Sequence, residues 1–154
     1  GGGADSAERQ PEVLPLKFSQ SEWAEELAII NRSRTVIEAE LRSLIRHTLF
    51  LNSKGAKPTT HWTDRILSGL PSGQRDQLKA LSGAALMDNL YWKDLKQIII
   101  REWSLFDRII GDKNRFESAM DIANDRPDAH SKKLDGADVA LYRRELDWLQ
   151  KKLQ

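Results

Sequence analysis

The residue types best suited to chemistry are concentrated in one polar segment near the C-terminal end of the chain. Residues 124–133 read NDRPDAHSKK, which places a guanidinium, an imidazole and two ammonium groups beside carboxylates. A histidine transfers protons near neutral pH, and an arginine stabilises the charge on a phosphoryl group. The segment therefore predicts phosphate binding. Lys132 and Lys133 supply positive charge that attracts phosphates, and with Asn124 they are the candidate nucleic-acid-binding residues.

The same segment also fits an ordinary polar connection between two helices. In that interpretation Asp125 caps a new helical turn. Pro127 then lies in the first turn of that helix. Amides in a first turn have no hydrogen-bond acceptor within the helix, so proline's missing N–H costs nothing there.

Outside this segment the sequence contains no strong catalytic motif. It has no glycine-rich phosphate loop, no HExxH and no GxSxG. No cysteine is present, which excludes disulfides, thiolate metal sites and a cysteine nucleophile. His47, His61 and His130 are scattered, so no metal-ligand spacing arises. We predict neither a metal nor a cofactor, and we expect His47 and His61 to have structural or solvent-exposed roles.

The elements that must position these residues are helices, because apolar residues recur at steps of three and four along most of the chain. The pattern predicts helices over 21–50, 63–70, 75–87, 90–110, 113–124 and 136–153, and it predicts no strand. We therefore expect an all-α, antiparallel helical bundle with a long first helix. The predicted core consists of Trp23, Leu27, Ile30, Leu41, Leu44, Leu95, Ile98, Ile99, Trp103, Phe106, Leu146 and Leu149.

Several local signals mark where these helices begin and end. Ser19 and Glu22 have the spacing of a capping box, Gly111-Asp112 ends the 90–110 helix, and Asp135 caps the last one. Residues 71–73 (PSG) predict a turn. Arg34 stands at a position of the first helix where the three–four spacing predicts an apolar residue. The simpler interpretation is that its aliphatic chain packs against the core while its guanidinium group reaches solvent. A buried ion pair or a ligand contact is the alternative.

Length, charge and hydropathy indicate how many domains the chain has and which partners its overall charge does not favour. The chain of 154 residues fits one domain, which we place at 19–154, and we interpret 1–18 as a flexible leader or tag remnant. Because the chain begins with Gly1-Gly2-Gly3 and not with Met, we expect the natural protein to be longer. Lys and Arg number 24 against 23 Asp and Glu, so bulk charge does not direct the chain to nucleic acid or anionic membranes. No run of about 18 apolar residues predicts a membrane span. The lack of cysteine suits a reducing compartment, and we expect a cytoplasmic location.

Between residues 90 and 134 a set of apolar, aromatic and charged residues follows in a distinctive order and spacing: Leu90-Tyr91-Trp92-Lys93-Asp94-Leu95, Ile98-Ile99, Trp103, Phe106, Phe116, Arg126, Ala129-His130 and Leu134. This pattern resembles the HEPN superfamily, and more narrowly its branch with the pattern L-x-x-x-D-L, I-I, W-x-x-F, R-N-x-x-A-H and L. The helix pattern agrees over residues 21–153, and specific residues agree over 90–134.

This resemblance implies a helical bundle that often forms homodimers. Many members are metal-independent endoribonucleases of toxin–antitoxin, phage-defence and RNA-processing systems, and they cut RNA where two copies meet. An arginine followed by a histidine carries out the reaction: the arginine stabilises the phosphorane, and the histidine assists proton transfer. Arg126 and His130 are the candidate catalytic residues here. Other members have lost the motif and bind nucleotides, RNA or protein partners.

This sequence departs from the family motif at its centre. Only three residues separate Arg126 from His130, whereas the family has four to six. With Ala129-His130 aligned to the family's Ala-His, Asp125 takes the position of the catalytic arginine. The alternative is that Arg126 reaches the site through a shifted turn, although Pro127 directs it toward extended geometry.

Three hypotheses follow from these observations. The first is a non-catalytic HEPN-like module for dimerisation or for binding a partner, a nucleotide or RNA, within a larger defence-type or toxin–antitoxin-type protein. The second is an endoribonuclease that uses Arg126 and His130. The third is a plain helical protein-interaction domain. A homodimer is expected from the resemblance and from the wide apolar face over 95–110, which can pack against two neighbours.

Overall fold

The computed structural model describes residues 19–53, 61–125 and 136–154. Within them lie the helices α1 (Gln20–Ser53), α2 (Trp62–Leu67), α3 (Ser72–Leu78), α4 (Gly83–Asp88), α5 (Trp92–Arg101), α6 (Trp103–Ile110), α7 (Lys113–Asn124) and α8 (Gly136–Leu153). These described ranges contain no strand, so the predicted all-α helical bundle with a long first helix is confirmed. The predicted leader 1–18 and the predicted cap Asp135 lie outside the described residues.

Helix α1 is the platform on which the bundle is assembled. It packs against α8, α2, α5 and α4, and α7 in turn packs against α8, α5 and α6. Two charged side chains, Glu26 and Arg34, interrupt the buried apolar stripe in the first half of this 34-residue helix. None of the helices in the described part of the chain is both long enough and apolar enough to cross a membrane.

The predicted capping box starts α1. The Glu22 amide donates to the Ser19 hydroxyl at 3.3 Å, and the Ser19 amide donates to Glu22 Oε1 at 3.1 Å. Two backbone donors that the helix cannot use are thereby satisfied. Hydrogen bonding from the Ser19 side chain, and then from its backbone, lowers the pKa of Glu22 below its usual 4.5.

His61 has a structural role, one of the two roles expected for it: it caps the N-terminus of α2. Its Nδ1 accepts a hydrogen bond from the Thr63 amide at 3.3 Å, and its own amide donates to Asp64 Oδ2 at 3.2 Å. The predicted turn at 71–73 is wrong in part, because Ser72 and Gly73 already belong to α3. Pro71 precedes that helix, where proline's fixed φ suits a helix entry.

The predicted single helix over 75–87 is two helices. α3 ends at Leu78, and Ser82 in extended conformation (φ −72°, ψ 166°) precedes α4. Ser and Gly are poor residues for a helix interior, which favours a break at Ser82-Gly83. A Cβ at Gly83 would lie 2.6 Å from the Trp62 ring, so the glycine allows α4 to approach this buried tryptophan.

The predicted helix over 90–110 is also divided, at Glu102. This residue leaves helical geometry (φ −101°, ψ 31°), and its carboxylate pairs with Arg65 at 2.6 Å. The bend gives the two halves different neighbours: α5 packs on α1 and α7, whereas α6 packs on α7 and α8. Gly111 ends α6 with φ 89°, a conformation that favours glycine, and Asp112 then caps α7 by accepting from the Arg115 amide.

The predicted core is largely confirmed. Fully buried are Ile30, Leu41, Leu95, Ile98, Ile99, Phe106, Leu146 and Leu149. Four residues predicted to be in the core are only partly buried: Trp23, Leu27, Leu44 and Trp103. Near the start of α1 the buried position belongs instead to Glu26, whose carboxylate binds Arg143 of α8 at 2.5 Å.

We expect Phe106→Ala to reduce the free energy of unfolding by about 3–5 kcal/mol, since the Phe106 side chain is fully buried. Ile109→Ala, on the same helix at a position 43% exposed, is the matched control and should change stability by only about 0.5 kcal/mol. Urea unfolding followed by circular dichroism measures both. Equal losses would show that α6 does not pack through Phe106.

Candidate functional site

The predicted site residues divide between described and undescribed parts of the chain. Arg126, His130, Lys132 and Lys133 lie outside the described residues. Asn124 is described: it is the last residue of α7, it is exposed, and it lines a cleft of about 430 Å³ between the end of α7, α1 and the start of α5. We name it the Asn124 cleft; Asn124 is also the first residue of the predicted segment 124–133.

A buried arginine forms the wall of this cleft. Arg34 of α1 is only 6% exposed, so the expectation that its head reaches solvent is wrong and the buried alternative is correct. Its guanidinium lies 4.4 Å above the Trp92 ring and donates to the carbonyl of Ala123. Nη2 also lies 3.8 Å from Glu38 Oε1.

These contacts place Arg34 at the C-terminal end of α7. The carbonyls of a helix's last turn have no partner within the helix, and they form the negative end of its dipole. Arg34 satisfies one of those carbonyls, that of Ala123, and brings a positive charge to the negative end. Trp92, itself 4% exposed, donates from Nε1 to the Met120 carbonyl at 2.8 Å. Two side chains from α1 and α5 therefore hold the last turns of α7.

Helix α8 is attached to the same point by Tyr142. Its hydroxyl donates to the carbonyl of Asp125, the second residue of the predicted segment 124–133. Burial raises the pKa of Tyr142 above its usual 10.0, and the negative charges of Asp125 and Asp138 raise it further, against a smaller opposite effect of Arg34. At neutral pH Tyr142 is thus an uncharged hydrogen-bond donor near two carboxylates, those of Asp125 and Asp138.

Arg42, two turns after Arg34 on α1, repeats the arrangement at another helix end. It donates from Nε to the Met87 carbonyl at 3.0 Å and from Nη2 to the Leu90 carbonyl at 2.9 Å. Glu38 lies between the two arginines and also contacts Arg42 Nη2 at 3.3 Å. The cleft therefore contains two arginines, and carbonyls and one glutamate already occupy both.

The groups that this cleft offers to a ligand are suited to hydrogen bonding and not to catalysis. Asn124 offers a side-chain donor and acceptor at the rim, and Asp88 adds a carboxylate that offsets the arginine charge. Across the described ranges, His, Asp and Glu side chains form no group of three that could hold a metal ion.

Sequence reasoning identified Asn124 but missed the residues that build its surroundings. Trp92 was noted only within the resemblance, and neither Tyr142 nor Arg42 was given a role in the site. One signal was present: a charged residue at an apolar step of α1, which is Arg34. Its partners are distant in sequence, so the sequence pattern could not identify them.

Compared with known proteins, the chain matches no family model, no curated protein and no solved structure.

Replacing Arg34 tests the wall of the cleft. We expect Arg34→Met to lower the free energy of unfolding by about 1–3 kcal/mol, because it leaves the Ala123 carbonyl without this donor inside the protein. Arg32→Met is the matched control, since Arg32 is exposed on the same helix, and it should change stability by about 0.5 kcal/mol or less. Urea unfolding measures both; indistinguishable variants would contradict the buried capping role.

Tyr142 provides a pH test. Because its pKa is raised on folding, the folded state keeps the phenolic proton at a pH where the unfolded chain loses it. Stability from this group should be fully present below pH 10.0 and lost as pH rises through the folded pKa. The chain has two tyrosines, so subtracting the tyrosinate absorbance titration of Tyr142→Phe isolates Tyr142. A midpoint at or below 10.0 would refute the assignment.

Proposed function

We propose that this chain is a non-catalytic HEPN-like helical module, part of a larger defence-type or toxin–antitoxin-type protein, that binds RNA or a nucleotide beside the Asn124 cleft. The observation that carries the proposal is that both arginines of this cleft already donate hydrogen bonds to main-chain carbonyls. Arg34 and Arg42 hold helix ends together through the carbonyls of Ala123, Met87 and Leu90. Groups used in this way support a binding surface, but they are not available to stabilise a phosphorane.

The electrostatics at the end of α7 also support binding without cleavage. Asp125 stands where the HEPN alignment places the catalytic arginine, and its charge acts on Tyr142 strongly enough to contribute to that residue's raised pKa. A carboxylate at this position repels the phosphate that an arginine would attract. We propose that phosphates are instead held by Lys132 and Lys133, with Asn124 contributing a hydrogen bond.

Homodimerisation stays a prediction, and it now rests on the resemblance alone. Most of the apolar face over 95–110 is buried within the chain: Leu95, Ile98, Ile99, Phe106 and Ile110 are at most 2% exposed. Its two neighbours are the chain's own helices, α1 and α7 for the first half and α7 and α8 for the second. A partner copy would therefore use a different surface.

The test combines RNA binding with RNA cleavage. Fluorescence anisotropy with single-stranded RNA should show binding that Lys132→Ala/Lys133→Ala weakens. The slope of log affinity against log salt concentration should become shallower by about 0.7 for each phosphate that the variant no longer neutralises. Lys151→Ala/Lys152→Ala removes the same charge from exposed positions on α8 and is the matched control. In EDTA, we expect wild type and His130→Ala alike to leave the RNA intact.

Three results would contradict the proposal. Cleavage by the wild type that disappears in His130→Ala would establish the metal-independent endoribonuclease that uses Arg126 and His130. Binding that both double variants weaken equally would show that only overall charge matters. Absence of any RNA or nucleotide binding by the folded protein would leave the plain helical protein-interaction domain.

A further inference from the structure

A second cleft, of about 590 Å³, lies along the next part of α1. Arg46, His47 and Phe50 of α1 line one side of it, and Trp62 of α2 and Met87 and Asp88 of α4 line the other. Arg42 and Asp88 also line the Asn124 cleft, so the two clefts are adjacent. The volume is within the range of about 300–1,000 Å³ that small-molecule sites occupy.

The cleft contains a basic and an acidic side chain that are not paired with each other. Arg46 and Asp88 are both exposed, and within the described part of the chain neither makes an ion pair or a side-chain hydrogen bond. Arg42, by contrast, is occupied by Glu38 and by two carbonyls. Arg46 and Asp88 are therefore the charges that remain available to a ligand.

Both charges stand in unfavourable local surroundings. Arg46 lies one helical turn from Arg42, and like charges at that spacing repel each other. Asp88 is the last residue of α4, where the negative end of the helix dipole disfavours a carboxylate. A bound anionic group would relieve the first and a bound cationic group the second.

The rest of the lining is suited to an aromatic ring. Trp62 and Met87, which are 6% and 3% exposed, form an apolar floor, and Phe50 is 46% exposed. Methionine sulfur and aromatic faces both make favourable contacts with rings. His47 is fixed beside them, because its Nδ1 lies 2.8 Å from the Ser43 carbonyl, which can only accept a hydrogen bond.

From this combination we infer that the second cleft binds a small zwitterion with an aromatic side chain, that is, an aromatic amino acid. Its carboxylate pairs with Arg46, its ammonium group pairs with Asp88, and its ring packs against Phe50 above Trp62 and Met87. The inference goes beyond the proposed function and does not depend on it, because it uses neither Asn124 nor the 126–135 segment.

The experiment uses L-phenylalanine and two analogues that each lack one charge. 3-Phenylpropanoate lacks the ammonium group, and 2-phenylethylamine lacks the carboxylate. Titrations of the ¹⁵N-labelled protein should shift the Trp62 indole signal and the backbone amides of residues 43–50. We expect phenylalanine to bind more tightly than either analogue, by up to about fivefold, the factor that corresponds to an exposed ion pair.

Two variants assign the charges. Arg46→Gln should abolish the advantage of phenylalanine over 2-phenylethylamine, and Asp88→Asn should abolish its advantage over 3-phenylpropanoate. Arg32→Gln is the matched control: it lies 14 positions earlier on α1, about 21 Å along the helix axis, and should leave all three affinities unchanged.

The inference is overturned if phenylalanine at millimolar concentration shifts none of these signals. It is equally overturned if the analogues bind as tightly as phenylalanine, or if Arg46→Gln and Asp88→Asn have no more effect than the control. The pattern of amide shifts in each free variant shows that it is folded, so loss of binding is not confused with loss of structure.

Discussion

The bundle depends on one buried cation, the Arg34 guanidinium. Removing such a group from water costs several kcal/mol unless polar partners replace the lost hydration. Here the replacement comes from the Ala123 carbonyl of α7, Glu38 of the same helix and the face of Trp92 from α5. These partners belong to different helices, so the cation is satisfied only when α1, α5 and α7 have the relative positions seen here.

The same device recurs throughout the described structure. Short helices have many carbonyls without an internal partner, and arginines from elsewhere reach them. Besides Arg34 and Arg42, Arg75 binds the Leu67 and Leu70 carbonyls, and Arg101 binds the carbonyl of Arg65. These four arginines therefore have structural roles. The near balance of charge in the sequence hides this use, because a count does not separate an arginine that caps a helix from one that meets a ligand.

Both proposed binding regions are organised by α1. Two arginines on one face of this helix fix the ends of α7 and α4, and the surfaces beside those ends become the Asn124 cleft and the second cleft. The clefts differ in what remains available. In the first, carbonyls and Glu38 already bind the arginines, which is why we propose that Lys132 and Lys133 bind phosphate. In the second, Arg46 and Asp88 remain unpaired within the described residues and face an aromatic floor.

The sequence by itself determined the secondary structure class, the α1 capping box, the end of α6 at Gly111 and most of the core. These follow from interactions between residues three or four positions apart, which periodicity records directly. It did not determine the breaks at Ser82 and Glu102. Beside the first break Gly83 leaves room for the Trp62 ring, and at the second Glu102 pairs with Arg65. The burial of Arg34, the capping by Arg42 and the attachment of Tyr142 to Asp125 were decided only by tertiary structure. Arg34, Arg42 and Tyr142 each bind a main-chain carbonyl at least 17 positions away. Whether such a carbonyl needs a partner depends on where its helix ends, and which side chain can reach it depends on how the helices pack. A local pattern of side chains contains neither piece of information.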